Sequence, residues 1–157
     1  MNLQSSHQFP EARLLERVKI VRKGEFSLQE LVEELKNCPE AFECGAIACF
    51  VGIVRGVGKN GSKVQKLSYE AWEEEAVKSL TEIRREILQE NKNTKDLLIY
   101  HVIDEFKPKD ETVSIVAIGK HRHDAMNAVR KAIEEIKTKP QIWKKEFTEK
   151  GSYWLES

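Results

Sequence analysis

Two hydrophobic periods alternate along this chain in an order that leaves few folds open. Residues 17–22 (RVKIVR) alternate polar and apolar, which predicts a short strand. Ser27 then reads as a helix start, with Glu30 placed to complete a capping box and Leu28, Leu31, Val32 and Leu35 on one stripe; the Cys38-Pro39 pair ends it. Residues 45–54 (GAIACFVGIV) are apolar on both parities, as expected of a strand covered on both faces. Residues 55–63 (RGVGKNGSK) carry three glycines and three cations and read as a mobile, positively charged loop. A strand over 64–71 precedes a helix over 73–90, whose Ala76, Leu80, Ile83 and Ile87 recur at three and four. Strands over 96–103 and 111–119 flank a turn with Pro108, and a third helix over about 123–137 buries Ala125, Val129, Ala132, Ile133 and Ile136 and stops at Pro140. Residues 142–147 and 152–156 read as a closing hairpin. Paired strands between single helices predict an α+β fold, a mixed or antiparallel sheet with three packed helices and a C-terminal hairpin, rather than a doubly wound one.

At 157 residues the chain fits one domain, expected over residues 17–157, with residues 1–16 as a loose N-terminal extension. The longest apolar stretch, residues 46–54, is far shorter than the ~20 residues of a membrane-spanning helix, and the first residues do not form a secretory signal. Cys38, Cys44 and Cys49 fit neither a disulfide framework nor a zinc knuckle, so reduced thiols and a cytoplasmic protein are expected.

The 26 Lys and Arg balance 26 Asp and Glu, yet the charges are not mixed evenly. Residues 55–66 hold four cations and no acid; 119–131 hold four cations and one acid; 137–150 hold five lysines and two glutamates. If the fold gathers these segments they make a site for a small anion, and if it does not they are solvated surface. Arg55, His121, Arg122, Lys137 and Lys144 each fall where a predicted element meets a loop, the usual address of binding groups. No nucleophile elbow, phosphate-binding P-loop or H-E-x-x-H motif is present. A metal site from His101, His121 and His123 is not expected, because the His-x-His pair shows no carboxylate or thiol at ligand spacing. A neutral total charge and the lack of an RNA- or DNA-binding signature argue against nucleic acid.

Three strings are more specific. FVGIVRG at residues 50–56, GKHRHDA at 119–125 and KTKPQIWKKE at 137–146, in this order and separation, resemble the large, catalytic subunit of molybdopterin synthase. The resemblance covers roughly residues 17–157 and implies an α/β hammerhead fold and a homodimer at the centre of a heterotetramer. The partner it implies is a small ubiquitin-like sulfur carrier ending in Gly-Gly. The implied reaction is sulfur transfer: the carrier's thiocarboxylate converts cyclic pyranopterin monophosphate to molybdopterin, with no resident cofactor or metal. By the same resemblance Lys137 and Lys144 are the catalytic lysines, Arg55, His121 and Arg122 hold the phosphate and pterin, and Glu146 orients a lysine. The alternative is a module that binds a phosphorylated pterin or nucleotide without chemistry.

Overall fold

The computed structural model describes residues 15–139 and 141–155. In chain order it contains β1 (Val18–Val21), α1 (Leu28–Lys36), a 3-10 turn (Pro39–Glu43), β2 (Ala46–Ile53), β3 (Val64–Ala71), α2 (Glu73–Glu90), β4 (Thr94–Val102), β5 (Glu105–Phe106), β6 (Glu111–Gly119), α3 (Arg122–Ile136), β7 (Ile142–Thr148) and β8 (Gly151–Leu155). The α+β class stands, but the strands divide between two four-stranded sheets rather than forming one. The first has the order β1-β4-β6-β2, with β1 parallel to β4 and the other pairs antiparallel. The second, β5-β3-β7-β8, is antiparallel throughout.

Local signals set the elements. Ser27 accepts the Glu30 amide while the Glu30 carboxylate accepts the Ser27 amide, satisfying two N–H groups that a helix start leaves unpaired. The alternation of β4 then splits the core. Leu97 and Ile99, with Ile115 and Ala117 of β6, pack against Leu80, Ile83 and Ile87 of α2 and Ala128, Val129 and Ala132 of α3. Leu98, Tyr100 and Val102 face the other way, toward Leu31 and Leu35 of α1 and Val64, Leu67 and Phe106 of the second sheet. The first sheet is therefore the central layer, and the second sheet is held against it by that apolar face.

A partly buried ionic cluster locks the edge where β1 enters. Asp96 receives Arg17 Nε at 2.8 Å and Arg84 at 2.7 Å, Arg17 also bonds Glu34 at 2.8 Å, and Arg84 Nε donates to the Leu97 carbonyl. Leu15 and Glu16, assigned above to the extension, join this body: the Leu15 amide bonds Glu34, and Tyr100 donates its hydroxyl to the Glu16 carbonyl at 2.8 Å. Residues 1–14, Pro140 and the last residue of the expected hairpin strand, Glu156, lie outside the described residues.

One expectation needs correcting, and two turns add to the rest. β2 is an edge strand and is not covered on both faces: Ala48 and Phe50 pack into the core beneath α3, whereas Cys49 and Ile53, on the other face, are exposed among the described residues. The glycine-rich segment after β2 closes into a hydrogen-bonded turn: Val57 bridges Lys63, the Gly58 amide bonds the Ser62 carbonyl at 2.8 Å, and Gly61 supplies a φ of +78°. The 3-10 turn at Pro39–Glu43 was not anticipated; proline at its first position cannot continue α1 but can start a new turn.

Candidate active site

Where β2 hands over to the glycine turn, a cleft of about 230 Å³ opens between that turn and β3 and β7 of the second sheet. Arg55 and Lys59 come from the turn, and Tyr69, Lys144 and Glu146 come from the sheet. Pairing explains the second group. Lys144 lies opposite Tyr69, and Glu146, two residues on and so on the same face, lies opposite Leu67 and Tyr153. The intervening Lys145 points the other way, its Nζ 5.3 Å from the Trp154 ring centre.

Lys144 is the chemically distinctive group. Its Nζ stands 5.3 Å from the centre of the Tyr69 ring, a cation–π contact, and no carboxylate lies within 4 Å of it among the described residues. Burial lowers its pKa below the ordinary lysine value, and the nearby Lys137 charge lowers it further. Lys137 itself is exposed at the C-cap of α3. Beneath Tyr69 lies His101, with ring centres 5.7 Å apart. It is 4% exposed and its Nδ1 donates to the Val102 carbonyl at 3.1 Å. Burial brings its pKa down to about 4, and Lys144 pushes in the same direction, so the imidazole is neutral at neutral pH.

Glu146 is buried and accepts the Tyr153 hydroxyl, which raises the tyrosine pKa. Its partner among the described residues is thus a tyrosine and not a lysine. The glycine turn closes over this pair: a Cβ on Gly58 would stand 2.4 Å from Glu146 Oε1 and 3.2 Å from the Tyr153 hydroxyl. Only a glycine backbone approaches so closely.

Arg55, Lys144 and Glu146 thus line one cleft, and Lys137 is near enough to act on Lys144 electrostatically. His121 and Arg122 are elsewhere. β2 and β6 run antiparallel with Ala46 opposite Gly119 and Ile53 opposite Glu111, so Arg55 and His121 lie beyond opposite ends of the same strand pair. At ~3.3 Å per residue that separates them by more than ~20 Å. The helix gives the same scale, since His121 and Lys137 cap the two ends of α3, roughly 24 Å apart at 1.5 Å per residue. Lys59, Tyr69 and Tyr153 are not site residues on the sequence reading, and His101 enters it only as a metal ligand that was not expected. Lys59 carried a signal as part of the acid-free cationic run; the others become visible only through cross-strand pairing.

Comparison with known proteins agrees with this architecture. Residues 21–139 match the family model described as MoaE protein. The molybdopterin synthase catalytic subunit of Pyrococcus abyssi is 35% identical over 141 residues, covering 89% of this chain and 91% of that one. Relatives of the same name from fruit flies are longer, and the chain spans 31% of the length of the Drosophila erecta protein. Among solved structures, molybdopterin synthase from Staphylococcus aureus superposes with a TM-score of 0.81 at 34% identity, covering 91% of this chain and 99% of that one. The complex of subunits 1 and 2 of the molybdopterin-converting factor from Helicobacter pylori has a TM-score of 0.69 at 22% identity, covering 90% and 92%, and supports the fold.

Proposed function

The chain belongs to the MoaE protein family, and on that premise we propose that it is the catalytic subunit of a molybdopterin synthase. It transfers sulfur to cyclic pyranopterin monophosphate from the thiocarboxylated Gly-Gly tail of a small ubiquitin-like carrier. The observation that carries this reading is Lys144: a half-buried ammonium with no carboxylate within 4 Å among the described residues, in a cleft it shares with Arg55. An anionic tail gains from such uncompensated charge, and a lysine with lowered pKa gives up and takes back a proton more readily than an exposed one.

In this reading a side-chain-free Gly-Gly tail threads the cleft and its thiocarboxylate is drawn to Lys144 and Lys137. The thiocarboxylate sulfur bonds to a side-chain carbon of the pterin as a carbon–oxygen bond there breaks, and the departing oxygen takes a proton from Lys144; water then attacks the carbonyl of the resulting thioester, whose oxygen the lysine charge steadies, and the carrier leaves as a carboxylate with its sulfur left on the pterin. Glu146, held by Tyr153 under Gly58, fixes the wall of the cleft behind the lysine. Arg55, His121 and Arg122 hold the phosphate and pterin, the guanidinium forks each offering two parallel bonds.

Those three residues cannot meet one small substrate within a single copy, given the ~20 Å or more between them. We therefore assign His121 and Arg122 to the cleft of a second copy in a homodimer. The exposed edge of β2, with Ile53 at 57% and Val57 just beyond it at 63% exposure, is an apolar rim of the kind a second copy covers. One catalytic domain over residues 17–157 carries these roles, in the cytoplasm. Among the described residues no helix is long and apolar enough to cross a membrane.

The test is conversion. Purified chain supplied with thiocarboxylated carrier and cyclic pyranopterin monophosphate should form molybdopterin. Substrate that is bound and returned unchanged would instead identify a pterin-binding module.

A further inference from the structure

A lysine stem is flexible, and its ammonium keeps one position only where something fixes its end. Lys144 has no carboxylate within 4 Å to do this among the described residues. What meets it is a ring. Lys144 and Tyr69 are directly opposed in the register of β3 and β7, and the ammonium stands over the Tyr69 face, 5.3 Å from its centre. The ring is itself fixed from behind. Phe106 of β5 meets it edge-on, with centres 5.0 Å apart and planes 69° from parallel, and His101 lies against it at 5.7 Å. Both supports are buried, Phe106 completely, so neither has room to swing away.

We propose that Tyr69 is the positioning residue for Lys144: its face holds the ammonium in the cleft without neutralising it. This rests on the sulfur-transfer reading above and adds to it the group on which the central lysine depends. A carboxylate would hold a lysine more firmly, but it would compete with the incoming thiocarboxylate for the same charge. An aromatic face attracts a cation through its quadrupole and carries no net charge, so the ammonium stays available to an anion. The phenol stays neutral too, because burial raises its pKa by more than Thr112, beside the hydroxyl, lowers it. Lys66, on the outer face of the same sheet, gives the contrast. It lies over the Phe147 ring at 4.5 Å but is also paired with Glu105 at 2.9 Å, so its charge is already compensated. Lys144 lines the cleft and has the ring alone. A first contact held by a rigid neighbour keeps its geometry through turnover, which is what proton delivery to a departing oxygen requires.

One measurement reads position and a second reads turnover. In NMR spectra of the full-length chain carrying isotope-labelled lysine, the ε-methylene resonance of Lys144 is identified as the one lost in Lys144→Arg. It should lie upfield of exposed lysines through the ring current of Tyr69, stay there in Tyr69→Phe, and move to the exposed-lysine position in Tyr69→Leu. With thiocarboxylated carrier and cyclic pyranopterin monophosphate, Tyr69→Leu should lower kcat by about tenfold or more while changing the pterin KM less than about twofold, and Tyr69→Phe should keep kcat within about threefold of wild type. A wild-type Lys144 resonance at the exposed-lysine position would overturn the proposal. So would full kcat in Tyr69→Leu, or an equal loss in Tyr69→Phe, which would move the effect from the ring face to the hydroxyl. If Tyr69→Leu does not fold, the wild-type resonance and the Tyr69→Phe kcat decide. Wild type that forms no molybdopterin would refute the sulfur-transfer reading, and the resonance would still show whether Tyr69 holds Lys144.

Discussion

Replacing His101 by glutamine should flatten the acid limb of the stability curve. In the folded chain the imidazole is buried among Tyr69, the Val102 carbonyl and the Lys144 charge, and takes up a proton only near pH 4, whereas in the unfolded chain it does so near 6.5. Between those values the unfolded state binds the extra proton, so stability falls as pH falls from about 6.5 to about 4 and changes little beyond either limit. The whole interval is worth roughly 3 kcal/mol, and the part between pH 7 and pH 5 about 2 kcal/mol. Urea unfolding followed by tryptophan fluorescence should therefore show the wild type losing about 2 kcal/mol more than His101→Gln between these two pH values, about 1 M in midpoint. Carboxylates titrate in both proteins and cancel in the difference. Equal losses would show that His101 is protonated in the folded state, and the picture of a neutral imidazole beneath the site would fail.

Three further outcomes follow from the same geometry. Asp96→Asn leaves Arg17 and Arg84 without their shared partner and should cost about 2–4 kcal/mol in denaturant unfolding, less than a fully buried pair because both guanidiniums are partly exposed. Gly58→Ala drives a methyl into Glu146 and should cost about 1–3 kcal/mol while reducing sulfur transfer; an unchanged melting temperature and turnover would show that the turn does not press on the cleft. Lys137→Ala should keep the fold, abolish product formation and raise the pH at which Lys144 titrates by NMR, because the neighbouring charge that lowers its pKa is gone.

Local chemistry was legible in the sequence and long-range pairing was not. The Ser27–Glu30 box, the Ala76-Leu80-Ile83-Ile87 stripe and the bounds of β3, β6 and α2 depend on neighbours a few residues apart, and periodicity reveals them. The split into two sheets depends on β3 choosing β7 rather than β2, a contact across some 80 residues that no period records. β2 misled for a related reason. An apolar edge and a buried strand read alike, because both parities are apolar whether the cover comes from the same chain or from another. At the site, Lys144 and Arg55 stood out by charge and motif, but Tyr69, His101 and Tyr153 carry no local mark. They matter because register sets one above another. The separation of His121 and Arg122 from Arg55 follows from the antiparallel run of β2 against β6, which motif order alone leaves open.

That separation makes the shared cleft the most exposed part of the account, and complementation between two inactive variants tests it. Lys144→Ala and Arg122→Ala should each be nearly inactive at low substrate. After the two are mixed and allowed to exchange subunits, the mixed dimer has one cleft bearing both lesions and one bearing neither. With random exchange, half of the dimers are mixed and one of their two clefts works, so activity should recover to roughly a quarter of wild type. Activity that stays at the average of the two parent variants would mean that Arg122 serves the cleft of its own chain or none, and the two-copy site proposed here would be wrong.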